Sequence, residues 1–130
     1  MSNFLGPVAL APAGSTGNNS HNAAPSVPAA EHISFKLVVE AVGATPTITW
    51  KIQGAAMPDG TAPGANDWVD LMLRPSDTDT GAVTRTATAV GTQVSHLPYD
   101  RDNFSHFRLV TSLNTNVTYR GEMYAQDEAS

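Results

Sequence analysis

The sequence predicts an all-β protein, as an immunoglobulin-like β-sandwich or small barrel with an extended N-terminal arm. Three observations support this prediction. Apolar residues alternate with polar ones along several short segments. Turn-forming residues separate these segments at short intervals, as in sandwiches and barrels. The first thirty residues carry no charged side chain, whereas the rest of the chain carries all nineteen. A length of 130 residues fits a single domain.

The composition changes near residue 31. The preceding residues are mostly Ala, Pro, Gly, Ser and Asn, which bury too little apolar surface to offset the entropy lost on ordering. We therefore predict an extended uncharged arm over residues 1–31, a β body over residues 32–125 and a polar tail over residues 126–130.

The arm begins with a small apolar cluster that suits attachment to another protein. It consists of Phe4, Leu5, Val8 and Leu10. An uncharged peptide can be buried without desolvating ions, and an extended one can pair with the edge of a sheet. The cluster is therefore our candidate partner-binding site. An ordinary disordered tail or linker is the alternative that the composition leaves open.

Two segments at the start of the body predict half-buried strands. The inward positions are Ile33, Phe35, Leu37 and Val39 in the first, and Ile48, Trp50 and Ile52 in the second. Residues 42–44 interrupt the alternation, so we expect the two strands to form a hairpin. Because Trp50 is in phase with its apolar neighbours, we expect it in the core.

The end of the body predicts a second hairpin, with strands at residues 104–113 and 117–125 around a turn at Asn114. Its inward positions are Phe107, Leu109, Thr111, Val117, Tyr119, Gly121 and Met123. Further strands are expected at residues 68–73, with Val69, Leu71 and Leu73 on one side, at residues 83–90 and at residues 94–97.

Two features of the middle strands indicate an interface. The strand at residues 83–90 is polar on both faces, which is typical of an edge or pairing surface, and its outward positions are Thr84, Thr86 and Thr88. Trp68 lies out of phase with Val69 and Leu71, which makes it a candidate exposed or interfacial aromatic residue.

The sequence contains no pattern that indicates an enzyme or a cofactor site. There is no cysteine, which excludes disulfides and thiolate chemistry, and the four histidines lack metal-ligand spacing. Residues 77–81 resemble the opening of a calcium loop without its remaining ligands. Asp59, Asp67 and Asp70 are close in sequence, but nothing marks a pocket around them. We expect no metal, no cofactor and no catalysis.

The charge and hydropathy patterns disfavour two classes of partner. The net charge of −5 provides no basic patch for nucleic acid. No apolar run is long enough to span a membrane, and the N-terminal residues do not have the pattern of a secretory signal.

Four motifs of the body resemble those of small β-sandwich structural proteins of tailed bacteriophages. They are residues 35–40, residues 47–54, the Trp68-Val69-Asp70-Leu71 strand and the Phe107-Arg108-Leu109 strand. The resemblance covers residues 33–124 and excludes the arm. It implies a capsid decoration or cement protein, or a tail accessory protein, that is located in the virion after assembly in the host cytoplasm.

The expected partners are the major capsid protein or neighbouring virion subunits, together with further copies of the chain. The second functional class that remains open is a carbohydrate-binding or receptor-binding module at a tail tip. Such a module would need an exposed aromatic platform.

Overall fold

The computed structural model describes residues 4–18, 21, 32–58, 61–74, 82–96 and 105–126. These residues form six strands and no helix: β1 (Phe4–Ser15), β2 (His32–Ala55), β3 (Val69–Asp70), β4 (Arg85–Ala87), β5 (Gly91–His96) and β6 (His106–Gln126). The all-β prediction is confirmed. All six strands belong to one antiparallel sheet that does not close, so neither an immunoglobulin-like sandwich nor a barrel is confirmed.

The centre of the sheet is a long ribbon formed by β2 and β6. The pairing runs from His32 opposite Gln126, through Val42 opposite Val117, to Ala55 opposite His106. The two predicted hairpins are therefore wrong, because each half of β2 pairs with a half of β6 and not with the other half of β2. Alternation specifies which face of a strand is buried, but it does not specify the neighbouring strand.

The predicted turns are bends within the two long strands. The backbone takes the left-handed conformation at Thr45 (φ 50°), Leu113 (φ 53°) and Asn116 (φ 55°). The strand register also shifts between Val42 and Thr47. The Asn116 side-chain amide donates a hydrogen bond of 2.6 Å to the carbonyl of Ala44, which joins the two bends. Each strand continues past its bend with the same partner.

The ribbon folds back on itself at these bends, so its two halves share one core. Phe35 and Phe107 come from opposite halves, and their ring centroids lie 5.4 Å apart. All the inward positions predicted for the two hairpins are buried. Trp50 is 2% exposed, and its indole N–H donates a 2.8 Å hydrogen bond to the side-chain carbonyl of Gln93.

The shorter strands all pair with β2 on the side away from β6. β5 pairs with the first half of β2, whereas β4 and β3 pair with the second half of β2. The predicted strand at residues 68–73 shrinks to β3, and Val69 is 49% exposed, whereas Leu71 and Leu73 are buried as expected. The chain leaves the regular sheet after β3, so alternation does not hold across this segment. The strand predicted at residues 83–90 is only three residues long.

The N-terminal segment is the edge strand of the same sheet. β1 pairs antiparallel with β6, and Leu10 (4% exposed) and Ala11 (2%) belong to the common core. A separate arm is therefore not confirmed: residues 4–15 are extended, as expected, but they pair within their own chain. Backbone hydrogen bonds to β6 stabilise this segment, which has few large apolar side chains to bury. Residues 19–20, 22–31 and 127–130 lie outside the described residues, so the division at residue 31 and the polar tail stay predictions.

We expect Gly121→Ala to destabilise the fold by about 1–3 kcal/mol through overpacking. A Cβ at Gly121 would lie 2.6 Å from Cδ2 of Leu109, which packs on it from the other half of the ribbon. Leu109→Ala removes that atom, so the two effects in the double variant should be less than additive. Urea denaturation of both single variants and the double variant measures this coupling. Simple additivity would show that the two halves do not meet at Gly121.

Candidate partner-binding site

The outer edge of β1 is the first candidate surface. β1 is the terminal strand in the sheet order and pairs only with β6 among the described strands. Ala9, Pro12 and Ala13 are exposed along it. Pro12 lacks an N–H group, and the register shifts several times along β1, both of which are typical of edge strands. The strand therefore offers an uncharged edge whose pairing is locally interrupted.

The predicted anchor residues do not form a free apolar cluster. Leu10 is buried in the core of its own chain and so is not available to a partner. Phe4, Leu5 and Val8 belong to β1 by their backbone, opposite Gln126, Ala125 and Met123 of β6, but their side chains lie outside the described residues. Their role as a partner-binding cluster stays a prediction.

After β1 the chain crosses over the bend of β6, where residues 16–18 and 21 form what we call the N-terminal anchor. The carbonyl of Gly17 accepts hydrogen bonds from the hydroxyls of Thr111 (3.1 Å) and Tyr119 (3.2 Å). Asn114 donates its backbone N–H to the Asn18 side chain at 2.8 Å. It also donates its side-chain amide to the Thr16 carbonyl at 2.9 Å. The anchor thus holds the end of β1 against β6.

His21 completes the anchor. Its backbone N–H donates to the carbonyl of Leu109 at 2.9 Å, and its Nε2 lies 2.7 Å from the hydroxyl of Tyr119. Partial burial lowers the pKa of His21 from its ordinary value of 6.5, because burial disfavours the charged imidazolium. The neutral imidazole is therefore the form that fits this position.

The anchor has no pattern of its own in the sequence, although one signal points to it. Thr111 and Tyr119 were both predicted to face the core, and buried hydroxyl groups require hydrogen-bond partners. The two hydroxyls lie 2.8 Å from each other, and their further partners come from Gly17 and His21, about a hundred positions away in the sequence. Local patterning does not reveal such distant pairs.

A chain of polar contacts crosses the outer face of the sheet around Trp68. Lys51 Nζ lies 3.0 Å from the Asp70 carboxylate, and the Gln53 side-chain amide donates to the same carboxylate at 2.9 Å. Arg108 Nε donates to the Gln53 side-chain carbonyl at 2.8 Å. The Arg108 guanidinium lies 4.4 Å from the centre of the Trp68 ring.

These polar contacts define the environment of Trp68. The residue is half-buried, and Arg108 covers one face of its ring. The hydrogen bond from Gln53 is the main cause that lowers the pKa of Asp70, and the hydrogen bond from Lys51 adds to it. These contacts therefore stabilise the ionised carboxylate of Asp70. An interfacial role for Trp68 stays a prediction.

The threonine-rich segment is exposed as expected. Thr84, Thr86 and Thr88 all lie at the surface, and only Thr86 belongs to a strand. The hydroxyl of Thr86 lies 3.3 Å from that of Thr49 on β2. The segment runs alongside the second half of β2, on the side of β2 away from β6. Its use as an interface stays a prediction.

The remaining chemical candidates do not assemble into a site in the described part of the chain. Asp67 accepts a 2.6 Å hydrogen bond from the backbone N–H of Gly64, as in a turn, and Asp70 is engaged with Lys51. No group of three or more His, Cys, Asp or Glu side chains within the described ranges has an arrangement that could hold a metal ion. Asp59 and residues 77–81 lie outside the described residues.

The described residues also include no helix that is long and apolar enough to span a membrane.

Comparisons with known proteins give a likeness of fold. No protein-family model matches the chain, and no curated protein matches it in sequence. Among solved structures, the SPBc2 prophage-derived protein YomS is similar with a TM-score of 0.66 and 6% sequence identity, over 98% of this chain and 96% of that one. PirA has a TM-score of 0.38 at 17% identity, over 96% of this chain and 92% of that one. The YomS match shows a shared fold, and the PirA match is too weak to support an argument.

The two tryptophans should differ in their effect on stability. We expect Trp50→Ala to lower the free energy of unfolding by about 3–5 kcal/mol, because it empties a buried site. Trp68→Ala should lower it by only about 1 kcal/mol, since it removes a partly exposed contact with Arg108. Thermal and urea denaturation compare the two. Similar losses would contradict the assignment of Trp50 to the core and Trp68 to the surface.

Stability should fall as the pH is lowered through the region of His21 titration. Because the pKa of His21 is lower in the folded chain than 6.5, the unfolded chain binds the proton more readily. The contribution is therefore complete above pH 6.5 and is lost as the pH falls toward the folded-state pKa. His21→Gln should flatten this dependence in unfolding experiments between about pH 7.5 and about pH 5.5. An equal slope in the variant would contradict the assignment.

Proposed function

We propose that this chain is a non-enzymatic structural protein of a bacteriophage virion. Its specific role in this proposal is that of a capsid decoration or cement subunit, which binds the assembled lattice through its body and its N-terminal strand. The observation that carries the proposal is the outer edge of β1. This edge is uncharged, lies at the end of the sheet and has no strand partner among the described residues.

A strand edge of this kind is suited to binding another protein through backbone hydrogen bonds. An incoming extended segment can add to the sheet, and the side chains of the edge then set specificity. Since β1 carries no charged residue, the contact would require no ion to be desolvated. Charged side chains on an edge strand commonly oppose such pairing, and β1 carries none, although Pro12 and the register shifts limit pairing to short stretches of this edge.

The fold comparison supports a phage context for the proposal. One solved structure that shares this fold over nearly the whole chain is a prophage-derived protein. The motifs around Trp68 and Phe107 resemble those of phage structural proteins independently of that match. In this proposal the partners are the major capsid protein or neighbouring virion subunits, and the chain is located in the virion after assembly in the host cytoplasm.

A carbohydrate-binding or receptor-binding module is the second candidate, and one observation favours it. Trp68 is half-exposed on the outer face beside the hydrogen-bonding side chains of Gln53 and Asp70. Arg108 covers one face of the ring, so a sugar would have to stack on the other face. Glycan-array binding that is lost in Trp68→Ala would favour this candidate over decoration.

Ala13→Lys tests the decoration proposal without disturbing the core. Ala13 is exposed on β1, and a lysine on an edge strand opposes pairing with an incoming strand. Deleting residues 2–31 is a poorer test, because it also removes Leu10 and Ala11 from the core. We expect Ala13→Lys to reduce retention on undecorated particles severely when mixtures are sedimented.

The matched control is Ala65→Lys, which adds the same charge at an exposed position in the loop before β3. It should be retained like the unaltered chain, and circular dichroism should show the same strand signal for both variants. Equal retention of Ala13→Lys would exclude the edge of β1 as the lattice-binding surface. If the unaltered chain is not retained, the decoration proposal fails as a whole.

A further inference from the structure

The bend of β6 presents a leucine that contributes little to its own chain. Leu113 is 72% exposed, the highest value among the exposed large hydrophobic residues described. Its backbone also takes the left-handed conformation, with φ of 53°. That conformation is unfavourable for a bulky residue, and glycine or asparagine is the usual choice there. Leucine at this position therefore combines backbone strain with an unburied apolar side chain.

Strain and exposure at one residue indicate a role outside the isolated chain. Strained residues persist where the surrounding structure holds them, and they concentrate at binding and switching sites. The bend is held firmly: the Asn114 carboxamide oxygen accepts the Val117 N–H at 3.1 Å, and Asn116 reaches the Ala44 carbonyl. Leu113 is thus presented on a fixed turn, which reduces the entropy lost when it inserts into a pocket.

A cavity that can receive such a side chain lies at the same end of the molecule. Its volume is about 460 Å³, and it is lined by Thr16, Ala41, Val42, Gly43, Asn116, Val117 and Thr118. It is a surface depression open to solvent, with both polar and apolar lining residues, and its volume leaves room for a leucine side chain. Val42 provides apolar surface there and is 39% exposed.

This end of the molecule also lacks charge. Residues 15–18, 41–49 and 111–119, which meet at the bends, contain no Asp, Glu, Lys or Arg. The nearest charged residues along β2 and β6 are Glu40 and Arg120, which pair with each other at 3.3 Å. A chain with a net charge of −5 repels its own copies over most of its surface. Two copies can approach at this end without bringing carboxylates together.

We propose that the bend end is a self-association surface at which Leu113 of each copy inserts into the cavity beside Val42 of the other. The projecting side chain and the cavity belong to the same patch, which is the condition for a two-fold symmetric contact. The occupant is therefore a second copy of this chain. The surface is separate from the outer edge of β1 and does not depend on the virion assignment.

Sedimentation velocity of the purified chain over a range of concentrations tests this proposal. The unaltered chain should form dimers, and Leu113→Asn should raise the dimer dissociation constant about a hundredfold, since it removes two leucine contacts worth about tenfold each. Under dilute conditions where both chains are monomeric, Leu113→Asn should unfold at the same or a higher temperature. Val90→Asn, at another exposed apolar position (61%), should leave dimerisation unchanged.

Mixing two defective variants distinguishes mutual insertion from a general loss of apolar surface. Val42→Asp places a charge in the cavity, and alone it should raise the dimer dissociation constant at least as much as Leu113→Asn does. In a mixed dimer one of the two contacts keeps an intact leucine and an intact cavity, so dimers should partly reappear when the variants are combined. A monomeric unaltered chain, or mixed variants that remain monomeric, would overturn the proposal. A dimer that tolerates Leu113→Asn would also overturn it.

Discussion

The continuous pairing of β2 with β6, folded back at their bends, is the constraint on which the other elements depend. Both strands bury the same face on either side of the bend, so folding the ribbon brings two apolar surfaces together. Leu109 packs on Gly121 because the glycine has no side chain to keep the halves apart. The remaining strands attach to this ribbon, β1 to β6 and β3, β4 and β5 to β2. None of them would have a partner without it.

The sequence predicted the faces of the strands well and their neighbours poorly. Alternation is a local property, so it correctly placed Phe35, Trp50 and Tyr119 in the core. Pairing depends on whether an interruption is a reversal or a bend, and the residues around Gly43 and Asn114 suit both. The resulting difference is large: two local hairpins were predicted, whereas the structure has one ribbon that joins distant segments.

The candidate site was less predictable than the fold, for a related reason. Composition showed that the N-terminal segment has few large apolar groups, and that observation favoured an arm without a fixed position. It did not show that Leu10 fits the core or that Gly17 and His21 satisfy hydroxyl groups on β6. This segment is held on β6 largely by backbone hydrogen bonds and polar side-chain contacts. A hydrophobicity pattern does not predict such contacts.

The position of β6 has a consequence for the order in which the chain can fold. β6 lies between β1 and β2, yet it follows both in the chain, so neither strand has its central neighbour until β6 has left the ribosome. Phe4 and His32 both pair opposite Gln126, which makes the sequence separation of the contacts large and folding correspondingly slow. During that delay two nascent chains at high local concentration can exchange their first strands. This topology therefore favours domain swapping as a route that competes with folding of the single chain.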